Sequence, residues 1–231
     1  MSENTTEVIA SEEVEASTGF AYLFQNIHRL FFQPSKFFSD IQRLQSTGLI
    51  YVSLLFFGMS NIISRVDSQL IKSDLGAASN SNDFMLSIAS EGWFKFWALV
   101  TVLGAISGFF TWLIGGWFFN LRLSWSGAKE FEKEDGRTVF LFSNMVEFLP
   151  HIISVVIFTL VYSDYFTYFK ADELWSAILF IFPFWSVVVC YKGIRANFDV
   201  VRWRAMIWFV VLPLVIYLLI YAGLVLAYLF S

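Results

Sequence analysis

Glu147 and His151 stand four residues apart in a run of apolar residues, with Pro150 between them. In a helix that spacing puts both side chains on one face. Ionisable groups inside a membrane segment are costly, and such positions are functional candidates by default. A carboxyl with an imidazole can bind a cation or relay a proton. The same pair can also hydrogen-bond to a neighbouring helix end, or to the arginines between residues 192 and 204. Asn120 closes the preceding apolar run, and together with Pro183 it completes the polar cavity that a transporter would use. No second His or Asp stands at metal-ligand spacing, so no metal site is expected. His28 falls on the polar side of an N-terminal helix pattern. Lys192, Arg195, Arg202 and Arg204 form the most basic stretch and are candidates for contact with anionic lipid headgroups. The same cations serve as ordinary inner-side anchors. There is no Gly-rich phosphate loop, no HExxH and no GxSxG. Neither catalytic residues nor a cofactor is expected.

The elements that must position these residues are membrane helices. Of the 231 residues 57% are hydrophobic and only 15% charged, against about 25% charged in a soluble domain, and mean hydropathy is +0.64. The charges cluster, and apolar runs fill the gaps. A span needs about 20 apolar residues, because about 30 Å of hydrocarbon is crossed at about 1.5 Å per residue. Phe is abundant and there are nine Trp, as suits lipid-facing surface and interfacial belts. A net charge of −4 argues against general affinity for nucleic acid. Cys190 is the sole cysteine, which excludes an internal disulfide; it reads as a small buried hydrophobe.

Residues 1–18 hold five Glu and no Lys or Arg, and are expected to be a disordered acidic tail with no cleavable signal. Residues 19–231 form one membrane domain. Between about 20 and 45 the apolar residues recur at helical spacing on both sides of Pro34, with Ser35 placed to cap the second piece. Neither piece is long enough to span, so both are expected as amphipathic interfacial helices. Five spans follow, at about 47–64, 93–119, 145–162, 174–192 and 205–230. Residues 65–91, 122–137 and 192–204 are expected as loops, and Tyr162, Tyr165 and Tyr168 as interface residues. Gly104 and Gly108, four apart, let a neighbouring backbone approach closely. Gly115, Gly116, Pro150 and Pro183 join them as expected packing positions, with Pro183 kinking the fourth span at mid-depth. Glu147 and His151 then fall at the inner mouth of the third span. The fold class is all-α, a polytopic membrane protein.

Charge sets the orientation. With the N-terminus inside, the inner segments hold Arg29, Lys36, Arg43, Arg122, Lys129, Lys133, Arg137, Lys192, Arg195, Arg202 and Arg204. The outer segments hold only Arg65, Lys72, Lys95 and Lys170. This is the positive-inside pattern, and an odd number of spans puts the C-terminus outside.

An ordered set of residues carries a family resemblance. Phe31-Phe32-x-Pro34-x-x-Phe37-Phe38 precedes the first span, and Gly115-Gly116-Trp117 ends the second. Phe148-Leu149-Pro150 opens the third. Phe184-Trp185-Ser186 and Tyr191-Lys192-Gly193-Ile194-Arg195 end the fourth, and Arg204-Ala205-Met206 with Pro213 begins the fifth. Over about residues 28–230 this order resembles the YIP family of five-span, Ypt/Rab-interacting membrane proteins. The resemblance implies a non-enzymatic protein that binds membrane lipids and other membrane proteins or itself, and organises the membrane. Eukaryotic members bind prenylated small GTPases and carry a long cytoplasmic N-terminal region. Here that region is short and acidic, which argues against small GTPase binding. The chain is more similar to the bacterial branch, which implies the inner (plasma) membrane. A small transporter, channel or accessory subunit is the alternative, with its site near Glu147, His151 and Asn120.

Overall fold

The computed structural model describes residues 19–74, 83–171 and 178–229. The acidic tail and much of the Gly-Ala-Ala-Ser-Asn-Ser-Asn-Asp stretch lie outside the described residues. Those described form an all-helical bundle. A first helix, α1 (19–32), is followed by a short α2 (Pro34–Phe37) that continues as a 3₁₀ segment, Phe38–Gln45. Then come α3 (Thr47–Asp74), α4 (Asp83–Ser90), α5 (Trp93–Trp125), α6 (Lys133–Thr159), α7 (Tyr165–Ala171) and α8 (Ile181–Asn197). A last helix, α9, is assembled from Arg202–Met206, a π-helical turn at Ile207–Val211, and Leu212–Leu229.

Four helices are long and apolar enough to cross a membrane: Thr47–Ser73, Trp93–Trp125, Lys133–Thr159 and Arg202–Gly223. The described part of the expected fourth span, α8, has 17 residues and reaches about 26 Å, short of a full hydrocarbon core. Its C-terminal end is tied to one end of the bundle, and α7, the described helix before it, to the other. At the end rich in Lys and Arg, here the basic end, the Val201 amide donates to Ser126 O at 2.9 Å, and Phe198 packs edge-on to Phe131. At the far end, Trp93 Nε1 donates to Tyr162 O at 2.7 Å, and Tyr165 stacks on Phe96 at 4.2 Å. The chain therefore returns from the far end to the basic end between Ala171 and Asn197.

The helices outrun the apolar segments that announce them. α3 continues through Arg65 to Asp74 because Val66 and Leu70, both 1% exposed, keep its buried face going. α5 runs on to Trp125, where Ser126 caps it and Gly127, at φ +94°, takes the left-handed turn that ends many helices. α6 starts at Lys133 rather than near residue 145. Glu134 and Asp135 occupy its first turn, where negative charge suits the helix dipole, and Val139, Leu141 and Phe142 are fully buried. The expected loops at 65–91, 122–137 and 192–204 thus shrink. The last of them is only residues 198–201, so Lys192 and Arg195 lie on α8 while Arg202 and Arg204 lie on α9.

The N-terminal segment differs in detail from its reading as a pair of lipid-facing helices. Pro34 takes the first helical position after Gln33, where a missing N–H costs nothing, so Ser35 caps nothing. Phe37, Phe38 and Leu44 are fully buried. Phe37 meets Phe142, and Phe38 covers Gly193 of α8. Gln45 Nε2 donates to Asp135 at 2.6 Å, and Trp185 Nε1 donates to Phe31 O at 2.9 Å. Phe24 and Phe32, 76% and 78% exposed, keep an outward apolar side.

The tightest helix contact joins α3 and α5. A Cβ on Gly58 would lie 1.8 Å from Gly104 O, and one on Gly108 would lie 2.2 Å from Leu54 O. No side chain fits, so the two backbones touch, as small-residue membrane interfaces allow. Pro183 sits in the first turn of α8, where its missing N–H has no partner to lose, and not at a mid-helix kink.

Pro213 acts through the π turn. The Leu212 amide bonds Ile207 O, five residues back. The next bond in that register would run from residue 213 to Trp208 O, but proline has no N–H. Arg122 supplies the missing donors: its Nε lies 3.0 Å from Trp208 O and its Nη2 also donates there, while the guanidinium covers the Phe209 ring at 4.2 Å.

Two outcomes follow. Gly58→Leu should lose about 3 kcal/mol by overpacking, while Gly223→Leu, whose Cβ meets nothing within 4 Å, should leave thermal unfolding in detergent unchanged. Arg122→Met should cost about 1–3 kcal/mol by orphaning the Trp208 carbonyl, and Pro213→Ala should recover part of that loss; strict additivity of the two substitutions would contradict the assignment.

Candidate functional site

Ser60, Asp67, His151 and Tyr165 make a polar cluster inside the far half of the bundle. α3 contributes Ser60 and Asp67, seven residues apart and so on one face. α6 contributes His151 between them, one residue after Pro150, whose missing N–H frees the Val146 carbonyl. α7 contributes Tyr165. It is aimed by an N-cap: Asp164 Oδ1 accepts the Thr167 amide at 2.8 Å. Burial would raise the Asp164 carboxyl, but hydrogen bonds from Ser163 and Thr167 outweigh it and hold it below the ordinary value.

The contacts form a directed chain. Tyr165 donates its hydroxyl proton to Asp67 Oδ1. His151 Nε2 stands 3.8 Å from Asp67 Oδ2, an ionic distance rather than a hydrogen bond. His151 Nδ1 is 3.0 Å from Ser60 Oγ. A proton on Nε2 faces the carboxylate; Nδ1 then accepts from Ser60 in the neutral ring and donates to the Ser60 oxygen in the charged one.

Serine, histidine and aspartate together have the residue types of a nucleophilic triad, but the geometry is wrong for one. The serine is on Nδ1 and the carboxylate on Nε2, the reverse of the working order. Ser60 is 6% exposed. What the cluster can do is hold three helices together through polar contacts, or exchange a proton between carboxyl, imidazole and hydroxyl.

The expected site residues are not all brought together. His151 lies in the half of α6 nearer the far end, not at an inner mouth, because α6 begins at Lys133. Glu147 sits near mid-helix. Its carboxyl lies within electrostatic reach of the Tyr217 and Tyr221 hydroxyls of α9, and it has no ion pair among the described residues. Asn120 is elsewhere. It donates to Lys133 O at 3.0 Å, its Oδ1 crowds Gly136, and it ties α5 to the start of α6 at the basic end. Lys192, Arg195, Arg202 and Arg204 are all exposed. Gly115 lies against the Phe140 ring and Gly116 against the Arg137 stem. No group of three or more His, Cys, Asp or Glu that could hold a metal occurs among the described residues.

Asp67, Ser60 and Tyr165 were not singled out from the sequence as members of a site. The sequence pattern puts Asp67 in a loop and Tyr165 at an interface, yet Asp67 lies on α3 and Tyr165 is 1% exposed. The available signal was the seven-residue spacing of Ser60 and Asp67, which matters only once α3 is known to extend past Arg65.

A family model, the Yip1 domain, matches residues 29–224. The curated proteins give no match and neither do the solved structures. The matched range takes in α3, α5, α6 and α8 whole, and with them Ser60, Asp67, Glu147 and His151.

Tyr165→Phe should destabilise the protein by about 1–2 kcal/mol, because the half-buried Asp67 carboxylate loses its hydroxyl donor. Thermal unfolding in detergent reads this, and Asp67→Asn combined with Tyr165→Phe should cost less than the sum of the single changes.

Proposed function

Because the chain belongs to the Yip1 domain family, we propose that it is a non-enzymatic, five-span membrane protein that binds lipids and membrane-protein partners and organises the bilayer around it. The bilayer is read as a bacterial plasma membrane, with the basic end and N-terminus in the cytoplasm and the C-terminus outside. Members of this family are generally non-enzymatic. One observation carries the reading. The two most apolar span candidates, Trp93–Trp125 and Arg202–Gly223, are only 17% and 11% buried in their apolar windows. Long faces bearing Phe109, Phe110, Leu218 and Leu219 therefore point outward. A single chain leaves these faces to lipid or to other spans, and the two are the natural ligands of such surfaces.

A second reading, a small transporter or accessory subunit, is favoured by the polar cluster around His151. In it Glu147 and His151 would pass a proton or cation.

Photo-crosslinkers placed at Phe110 and Leu218 in native membranes should trap neighbouring spans or lipid, and mass spectrometry identifies them. Proteoliposomes should show no flux dependent on the protein. Solute or ion flux that disappears in Glu147→Gln or His151→Ala would overturn the scaffold reading in favour of transport. Protease protection placing residues 66–90 on the cytoplasmic side would overturn the orientation.

A further inference from the structure

At the basic end, the last turn of α5 and the first turns of α9 enclose an open cleft of about 550 Å³, lined by Ser124, Trp125, Trp203, Arg204, Ile207 and Trp208. The cleft is built by the π turn. That turn carries Ile207 and Trp208, and Arg122 clamps it from below through the Trp208 carbonyl. The Trp208 ring lies 4.6 Å from that of Trp125, and the two indoles form one wall. Arg204, also on the lining, holds its guanidinium 5.4 Å from the Trp203 ring. Arg204 is exposed, and among the described residues it has no carboxylate partner.

The depth of the cleft is fixed by its neighbours. It lies just beyond the apolar run that ends at Phe119, where indoles prefer to sit at the level of the headgroups. Directly beneath it the outward faces of both helices are apolar, with Phe118, Ile207 and Val211 at least 40% exposed. A cation above a greasy strip, framed by indoles, complements an amphiphile with an anionic head.

We propose that this cleft binds the headgroup of an anionic phospholipid, with Arg204 on the phosphate, the three indoles around the glycerol region and the acyl chains running down α5 and α9. The proposal rests on the lipid-binding reading above and gives it a place. Free phosphate would use the cation but not the apolar strip, so the assigned ligand is the lipid.

The test uses the full chain purified in mild detergent and titrated with short-chain phosphatidylglycerol or phosphatidylcholine, with bound lipid counted by native mass spectrometry. Phosphatidylglycerol should bind more tightly than phosphatidylcholine. Arg204→Gln should weaken it about tenfold, the scale of one lost charge-assisted contact, and Trp203→Ala should weaken both lipids. These two side chains are exposed, so neither change threatens folding. Lys192→Gln with Arg195→Gln, on α8, should change nothing. Preferential phosphatidylglycerol binding that survives Arg204→Gln would overturn the cleft assignment and leave the lipid-binding reading standing. Equal binding of both lipids by the wild type would overturn recognition of the anionic head. No retained lipid of either kind would count against both readings.

Discussion

Hydrocarbon offers no hydrogen-bond partner to a peptide group, and much of this structure answers that constraint. Helices satisfy their own interiors but not every carbonyl near their ends and irregularities. Here side chains from other helices complete them. Arg122 reaches Trp208 O where Pro213 has removed a donor. Trp185 reaches Phe31 O at the end of α1, and Trp93 reaches Tyr162 O after α6. Each is an amphipathic side chain whose apolar body lies in the bundle or lipid while its N–H does polar work. The Trp and Arg content thus serves internal satisfaction as much as interfacial anchoring.

The same constraint explains the placement of the polar cluster. Ser60, Asp67, His151 and Tyr165 lie between helices, each with a partner, and not on the outward faces. Those faces are left to Phe, Leu, Ile and Val. The interior is mostly apolar as well, with Phe37, Phe38, Val139 and Phe142 fully buried, so the few polar groups are kept where a neighbouring helix can partner them and the outward faces are left to lipid.

Much of the architecture was legible because hydrocarbon imposes so plain a pattern. Apolar runs marked the helices centred on α3, α5, α6 and α9, and Pro34 marked the break after α1. Helix ends were poorly legible. Arg65, Arg122 and Arg137 read as loop residues, yet each lies within a helix, because a helix need not stop where the bilayer does. Val66 and Leu123 show why: packing on neighbouring helices carries the element onward. The site suffered from the same error. Glu147 and His151 were visible as charges in an apolar run, but their partners were not. Asp67 gains meaning only from the extension of α3, and Tyr165 only from the turn that Asp164 caps. The π turn had no sequence signal beyond Pro213, and its pairing with Arg122 is a matter of three-dimensional proximity across residues 86 apart.

The glycine contact between α3 and α5 has a consequence for biogenesis. Both leave the ribosome before α6, α8 and α9, and their backbones interlock through Gly58, Gly104 and Gly108 without needing any of those later segments. A hairpin so assembled can form while α6 is still being synthesised, and it presents a ready-made wall against which each later helix docks as it arrives. The order of translation and the order of assembly then coincide, and the nascent chain need not wait for its C-terminus to begin folding.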